Sequence, residues 1–281
     1  MNPMDLPFDA DAMAAGLRPW VECESPTYDA AAVGRMMELA AFDLAAMGAA
    51  VEMLPARGGF GPSVRARMPH RRMGEPGVVI SGHFDTVHPV GTLAMNPCRI
   101  EDGRMYGPGA LDMKSGNYLA MEAVRQLARA GIETPLPVTF LFTPDEEVGT
   151  PATRGLIEAE ALRNRYFLCP EPSLADNGVS TGRYAIARFN LTARGKPSHA
   201  GAALKDGVSA VRELAKRILE IEAMTTDDCT FSVNDLRSGQ WVNCVPSFAS
   251  AQVLSMAKRQ EDLDAGVAKM LAMAGERDGV V

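Results

Sequence analysis

Gly77-Val-Val-Ile-Ser-Gly-His83-Phe-Asp85 is a short apolar run that ends in an imidazole and a carboxylate two residues apart. Its β-branched core reads as a buried strand. Two further stretches repeat the pattern. Pro137-Val-Thr-Phe-Leu-Phe142 leads into Thr143-Pro-Asp145-Glu146-Glu147, and Arg165-Tyr-Phe-Leu-Cys169 leads into Pro170-Glu171-Pro172. Between the first two, Ser115 to Ala130 has a helical pattern closed by Gly131. Ahead of them, Tyr28 to Met47 places Val33, Met36, Met37, Ala40, Leu44 and Met47 at helical spacing, with Gly48 as a stop signal. Strands alternating with helices predict an α/β domain whose mixed, largely parallel sheet is flanked by helices.

After about Arg183 the rhythm changes. Ala185 to Ala193 alternates like a half-exposed strand, with Ile186, Leu191 and, out of phase by one, Phe189. A helix is expected from about Gly207 to Met224, strands over Cys229–Asn234 and Val245–Met256, and a helix from about Glu261 to Ala274. The order β-α-β-β-α predicts a small α+β domain on an antiparallel sheet, with one last strand starting at Gly279-Val-Val281. The expected division is 1–184 and 185–281.

Open α/β sheets bind ligands beyond the carboxyl ends of their strands. Three strands therefore deliver His83, the Glu146-Glu147 pair and Glu171 to one rim. Gly107-Pro-Gly-Ala-Leu-Asp112-Met-Lys-Ser-Gly116 adds Asp112 from a glycine-rich turn before a helix. These are the imidazole and hard oxygen donors that zinc takes in catalytic sites. Each piece alone has a plainer reading. A His-x-Asp pair also serves as a hydrogen-bonded structural pair, and acids at 145–147 also suit a helix N-terminus. Asp112 alone also fits a helix cap. Their conjunction at successive strand ends is what points to a metal site.

The bulk properties set bounds on function. With 28 Lys and Arg against 35 Asp and Glu, the chain carries a formal charge of −7 and no basic run, which speaks against nucleic acid. The five cysteines, Cys23, Cys98, Cys169, Cys229 and Cys244, are scattered without C-x-x-C spacing, so neither a disulfide framework nor a thiolate zinc site is expected. Met1 to Ala15 holds three acids and no base, unlike a secretory signal. No apolar run approaches the ~20 residues of a membrane helix. The expectation is a cytoplasmic protein.

Gly82-His83-Phe84-Asp85-Thr86-Val87, Tyr106-Gly-Pro-Gly109 through Asp112-Met113-Lys114, Thr143 to Gly149, Glu171-Pro172 and Gly195-Lys-Pro-Ser-His199-Ala-Gly201 form an ordered motif set. It resembles that of the two-zinc metallopeptidase family of glutamate carboxypeptidase, aminoacylase and succinyl-diaminopimelate desuccinylase, with the carboxypeptidase branch nearest. The resemblance implies a zinc-exopeptidase-like catalytic domain and a dimerisation domain. It also implies two Zn2+ ions, a homodimer and a peptide or N-acyl amino acid substrate. By this similarity His83 and Glu171 would hold one zinc, Glu147 the other, and Asp112 would bridge them. Asp85 would orient His83, Glu146 would be the general base, and His199 would reach a partner's site to steady the oxyanion. Asn243 matches a substrate-contacting asparagine.

The chain departs from the family in two respects. A fifth ligand, a histidine near the C-terminus, has no match among His70, His83, His88 and His199. One metal would keep only Asp112 and Glu147, so the expectation is a piece of a longer enzyme with weakened zinc binding, little activity and an exposed apolar sheet edge. The alternative expected is a non-catalytic dimerising remnant that holds at most one metal. The arginine that clamps a substrate carboxylate in the carboxypeptidase branch falls on Met256. Lys258 and Arg183 are the basic candidates to replace it, although lysine is a point charge without arginine's bidentate fork.

Overall fold

The computed structural model describes residues 5–173 and 178–281. The chain divides into two compact units, Met1–Asn177 and Gly178–Val281. In the first, helix α1 (Ala10–Glu22) starts where the Asp9 carboxylate accepts from the N–H groups of Asp11 and Ala12. Helix α2 (Ala30–Ala46) starts at Asp29, which accepts from Ala32. Both are side-chain caps that satisfy otherwise unpaired first-turn donors. Strands β1 (Ala50–Leu54) and β2 (Ser63–Arg67) follow, then β3 (Val78–His83) and a small hairpin of β4 (Arg99–Glu101) and β5 (Arg104–Tyr106). Helix α3 (Ser115–Arg129), β6 (Val138–Thr143), α4 (Arg154–Arg163) and β7 (Tyr166–Leu168) complete the unit.

The central sheet runs β1-β2-β6-β3-β7. Strands β6, β3 and β7 are parallel, while β1 and β2 add antiparallel strands on the β6 side. Because β3, β6 and β7 run together, their carboxyl ends meet on one rim, and that rim carries the motifs. Helices α1, α2 and α3 cover one sheet face through Trp20, Met36, Met37, Leu44, Met121 and their neighbours, all buried. An aromatic chain ties this core to the rim. Trp20 meets Phe84 edge-on at 5.0 Å, and Phe84 meets Phe142 at 4.7 Å. Phe84 is fully buried between His83 and Asp85, so burial of one ring fixes the directions of both neighbours. The third strand differs from a buried one. Tyr166, Phe167 and Leu168 are all exposed on the sheet's edge.

In the second unit β8 (Ala185–Arg194), α5 (Ala210–Glu222), β9 (Cys229–Ser238), β10 (Phe248–Ala257) and α6 (Gln260–Ala272) form an antiparallel sheet of order β8-β10-β9 with two helices. The phase of β8 corrects the sequence reading. Ala185, Ala187, Phe189, Leu191 and Ala193 turn inward, and Ile186 is the residue out of phase, 52% exposed. Strand period 2 forces that choice, since Phe189 and Leu191 share a face and Ile186 cannot join them. At the chain's last residue, Val281 and Arg194 exchange backbone hydrogen bonds of 2.6 and 3.0 Å, a single rung beside β8.

Candidate metal centre

His83 ends β3 fully buried. Its Nδ1 lies 2.9 Å from the Asp85 carbonyl oxygen and 3.2 Å from Asp85 Oδ1. Both neighbours only accept hydrogen bonds, so Nδ1 carries a proton and Nε2 is the nitrogen offered to the rim. Around Nε2 stand Asp112 Oδ1 at 3.2 Å, Glu171 Oε1 at 3.6 Å and Glu146 Oε2 at 3.7 Å. Ligand atoms of His83, Asp112 and Glu147 all lie within 4.8 Å of one another, as do those of His83, Glu146 and Glu171. Asp112 also shares a hydrogen bond with Glu171, so it sits between the two groups.

Each carboxylate arrives by a different route. Asp145 is buried, and its carboxylate accepts from Ala152 N–H, Thr153 N–H and the Thr153 hydroxyl, which folds the loop after β6 into a tight turn. Asp85 fixes the same turn from the other side. Its Oδ1 accepts from Glu146 N–H and its Oδ2 from Glu147 N–H, each at 3.2 Å, while the Thr27 hydroxyl donates to Oδ2 at 2.9 Å. Asp85 thus orients both the imidazole and the acidic pair. Asp112 lies in the turn between Gly109 and Ser115, and the Asp112–Met113 peptide is cis. Glycine is required along this turn. A Cβ at Gly109, whose φ is +67°, would stand 2.6 Å from Thr86 Cγ2, and one at Gly116 would stand 1.7 Å from the carbonyl oxygen of Pro170, next to Glu171.

The electrostatics are those of an acid cluster whose close counter-charge is one ring. Among the described residues no lysine or arginine lies within ion-pair distance of Asp112, Glu146, Glu147 or Glu171. Burial, opposed by His83 and reinforced by Asp112 and Glu146, pushes Glu171 up to about 7. Burial also raises Glu147, with Asp112, Asp85 and Glu146 adding to it. For His83, burial opposes the charged ring, but Asp85, Glu146 and Glu171 outweigh it and raise the ring to about 9. A cluster of hard oxygens around one imidazole fits a divalent cation in its donor chemistry.

The remaining sequence candidates lie elsewhere. His70 is at the opposite end of the sheet, its Nε2 2.8 Å from the Thr134 carbonyl oxygen, and half-buried His88 is outside both groups. In the second unit, exposed His199 accepts at Nδ1 from the N–H groups of Gly201 and Ala202, leaving Nε2–H as its free donor. A bridge between His199 and Cys244, with Ala200 N–H donating to the Asn243 carbonyl, brings His199 and Asn243 together. Lys258 and Arg183 are not brought to them. Lys258 follows the far end of β10, 3.6 Å from Asp228 Oδ1, and exposed Arg183 precedes β8 at that same end. The ten residues of β10 separate the two pairs by roughly 30 Å at about 3.3 Å per residue. Within this unit Asn243 and the two bases therefore lie toward opposite ends of β10. Sequence reading passed over Thr27, Asn117, which donates to the His83 carbonyl, and buried Lys114. Only Lys114 had a signal, its place two residues after Asp112.

Residues 79–272 match the peptidase family M20/M25/M40. The chain belongs to that family. Carboxypeptidase G2 from Pseudomonas sp. (strain RS-16) is 35% identical over 199 residues, covering 69% of this chain and 48% of the relative. Aminoacylase-1A from Rattus norvegicus is 30% identical over 53% of this chain and 41% of its own length. The chain spans about half or less of the length of these curated M20/M25/M40 relatives. Among solved structures, a Staphylococcus aureus tripeptidase superposes with TM-score 0.71 at 19% identity, covering 94% of this chain and 70% of that one. A Bacillus subtilis protein described as a dinuclear metal-binding M20 peptidase gives TM-score 0.59 at 16% identity, over 93% and 68%. These two likenesses concern the fold. Among the described residues, no helix is long and apolar enough to cross a membrane.

Proposed function

We propose that this chain carries the catalytic metal site of a zinc-dependent hydrolase, one that cleaves an amide bond in a dipeptide, a C-terminal residue or an N-acyl amino acid. The observation that carries this reading is the convergence of Asp112, Glu146, Glu147 and Glu171 on His83 Nε2. Relatives named carboxypeptidase and aminoacylase support the substrate class. His83 and Glu171 would hold one zinc, Glu147 the second, and Asp112, lying between them, would serve both. Bound zinc supplies Lewis acidity and a water acidic enough to ionise near neutral pH. Glu146, the more exposed of the adjacent pair, would be the general base, its carboxylate holding the proton that the leaving amine finally receives. Asp85 keeps Nδ1 protonated and Nε2 aimed inward. His199, whose Nε2–H is free, would reach across a homodimer into the partner's active site and donate to the developing oxyanion there, and Asn243 beside it would hold substrate; in this reading the protein is a cytoplasmic homodimer. Any carboxylate clamp would draw on Arg183 or Lys258, which lie at the opposite end of the small sheet's strands from Asn243.

Chelation tests the reading directly. Hydrolysis of dipeptides and N-acyl amino acids is expected to be slow, since one metal would keep only Asp112 and Glu147, and a strong chelator is expected to abolish it and added zinc to restore it. Turnover that survives metal removal overturns the proposal. Metal uptake also has a required pH dependence. A cation at Nε2 replaces the proton that His83 holds up to about pH 9, and one at Glu171 replaces a proton held to about pH 7. Binding at pH 7 therefore releases more than one proton and strengthens as pH rises, readable by calorimetry in buffers of different ionisation enthalpy. Release of no proton counts against these ligands. A second reading, a dimerising protein without activity that holds one cation, is favoured by the fact that both ligand groups draw on the same imidazole. It predicts one metal per chain and no hydrolysis.

A further inference from the structure

Lys114 is fully buried, and its ammonium donates to the carbonyl of Cys23 at 2.8 Å. Lysine is almost never buried to this degree without a partner. Its charge does not serve the carboxylate cluster by contact, since none of Asp112, Glu146, Glu147 and Glu171 pairs with it. Cys23 instead closes α1, so the ammonium sits at the negative end of that helix, where a cation is favoured. The Lys114 N–H donates to the Gly109 carbonyl at 3.0 Å and closes the turn that carries Asp112. The Asp112 side chain is 57% exposed, so little packing of its own holds it. Its two successors are buried instead. Met113 meets β3, its sulfur accepting from His83 N–H, and Lys114 meets α1.

We propose that Lys114 is a positioning residue for Asp112, anchoring the turn to the end of α1 so that the carboxylate stands beside His83 and Glu171. The inference rests on the metal reading above. Lys114→Met keeps the aliphatic stem and removes the donor and its charge. Cobalt(II) is the probe, with affinity read by competition against a chromophoric chelator and geometry by the cobalt visible spectrum. Lys114→Met is expected to bind cobalt about 10- to 100-fold more weakly, with an altered spectrum. In an Asp112→Asn background the same change is expected to cost almost nothing further, because the tether acts through Asp112. A merely structural role gives additive losses and an unchanged spectrum. Lys114→Gln, which keeps a shorter donor, is expected to fall between, and carries the same cycle if the methionine variant does not fold. Wild-type uptake of cobalt with equal affinity and spectrum in the variants overturns this inference alone. A wild-type protein that takes up no cobalt overturns the metal reading and this inference with it.

Discussion

Glu146→Gln is expected to lower turnover by about 10²–10⁴-fold while the protein keeps its metal, the range by which general base catalysis accelerates a proton transfer. The substitution leaves size unchanged and removes only the ability to take a proton. The turn survives, because Asp85 Oδ1 accepts the main-chain N–H of residue 146 and Asp85 Oδ2 that of Glu147, whatever side chain residue 146 bears. Asp145 holds the rest of the loop independently through Ala152 and Thr153. Glu147, Glu171, Asp112 and His83 remain for the cation. Steady-state kinetics together with metal analysis of the same preparation check the outcome. Loss of metal in parallel with activity identifies Glu146 as a ligand, and retention of full activity removes it as the base.

Gly116→Ala is expected to destabilise the fold by about 1–3 kcal/mol or more, since overpacking a tight contact forces backbone movement. The added methyl would occupy a point 1.7 Å from the Pro170 carbonyl, which belongs to backbone and has no rotamer to yield. Gly116 is the second residue of α3, just after the Asp112 turn, and Pro170 precedes Glu171. Separating them draws two carboxylates of the cluster apart, so metal affinity falls along with stability. Gly155→Ala in α4 is the control. Nothing lies within 4 Å of its added methyl, and helix propensity alone makes it neutral or stabilising by up to about 1 kcal/mol. Chemical unfolding of both variants decides the point, and equal midpoints would sink the packing argument.

How much of this was legible beforehand depended on the kind of signal. The parallel core and its rim were legible because Val78–His83 and Val138–Thr143 are almost wholly buried, so that Val78-Val-Ile80 and Phe140-Leu-Phe142 read as apolar runs without polar alternation. Strands β1 and β2 were not. Ala50–Leu54 and Ser63–Arg67 are short and interrupted by Glu52, Arg65 and Arg67, and Arg65 is satisfied only in three dimensions, by Glu52 and Glu160. Helix α1 was hidden by Gly16 and Pro19 within it, and α4 by the lack of an apolar stripe. At the centre itself, His83, Glu146, Glu147 and Glu171 announced themselves by residue type at strand ends, and Asp112 by its glycine-rich turn before α3. Thr27 and Asn117 did not, since a single hydroxyl or amide in a polar stretch has no periodicity to betray it.

One carboxylate, Asp85, answers to the Thr27 hydroxyl, the imidazole of His83 and two main-chain amides at once. Its settings cannot be adjusted one at a time: a change that retunes the ring also displaces the loop. Side chains that feed nothing into residue 85, such as the exposed Val87 and Leu111, are where a substitution at this rim leaves that lattice of hydrogen bonds intact.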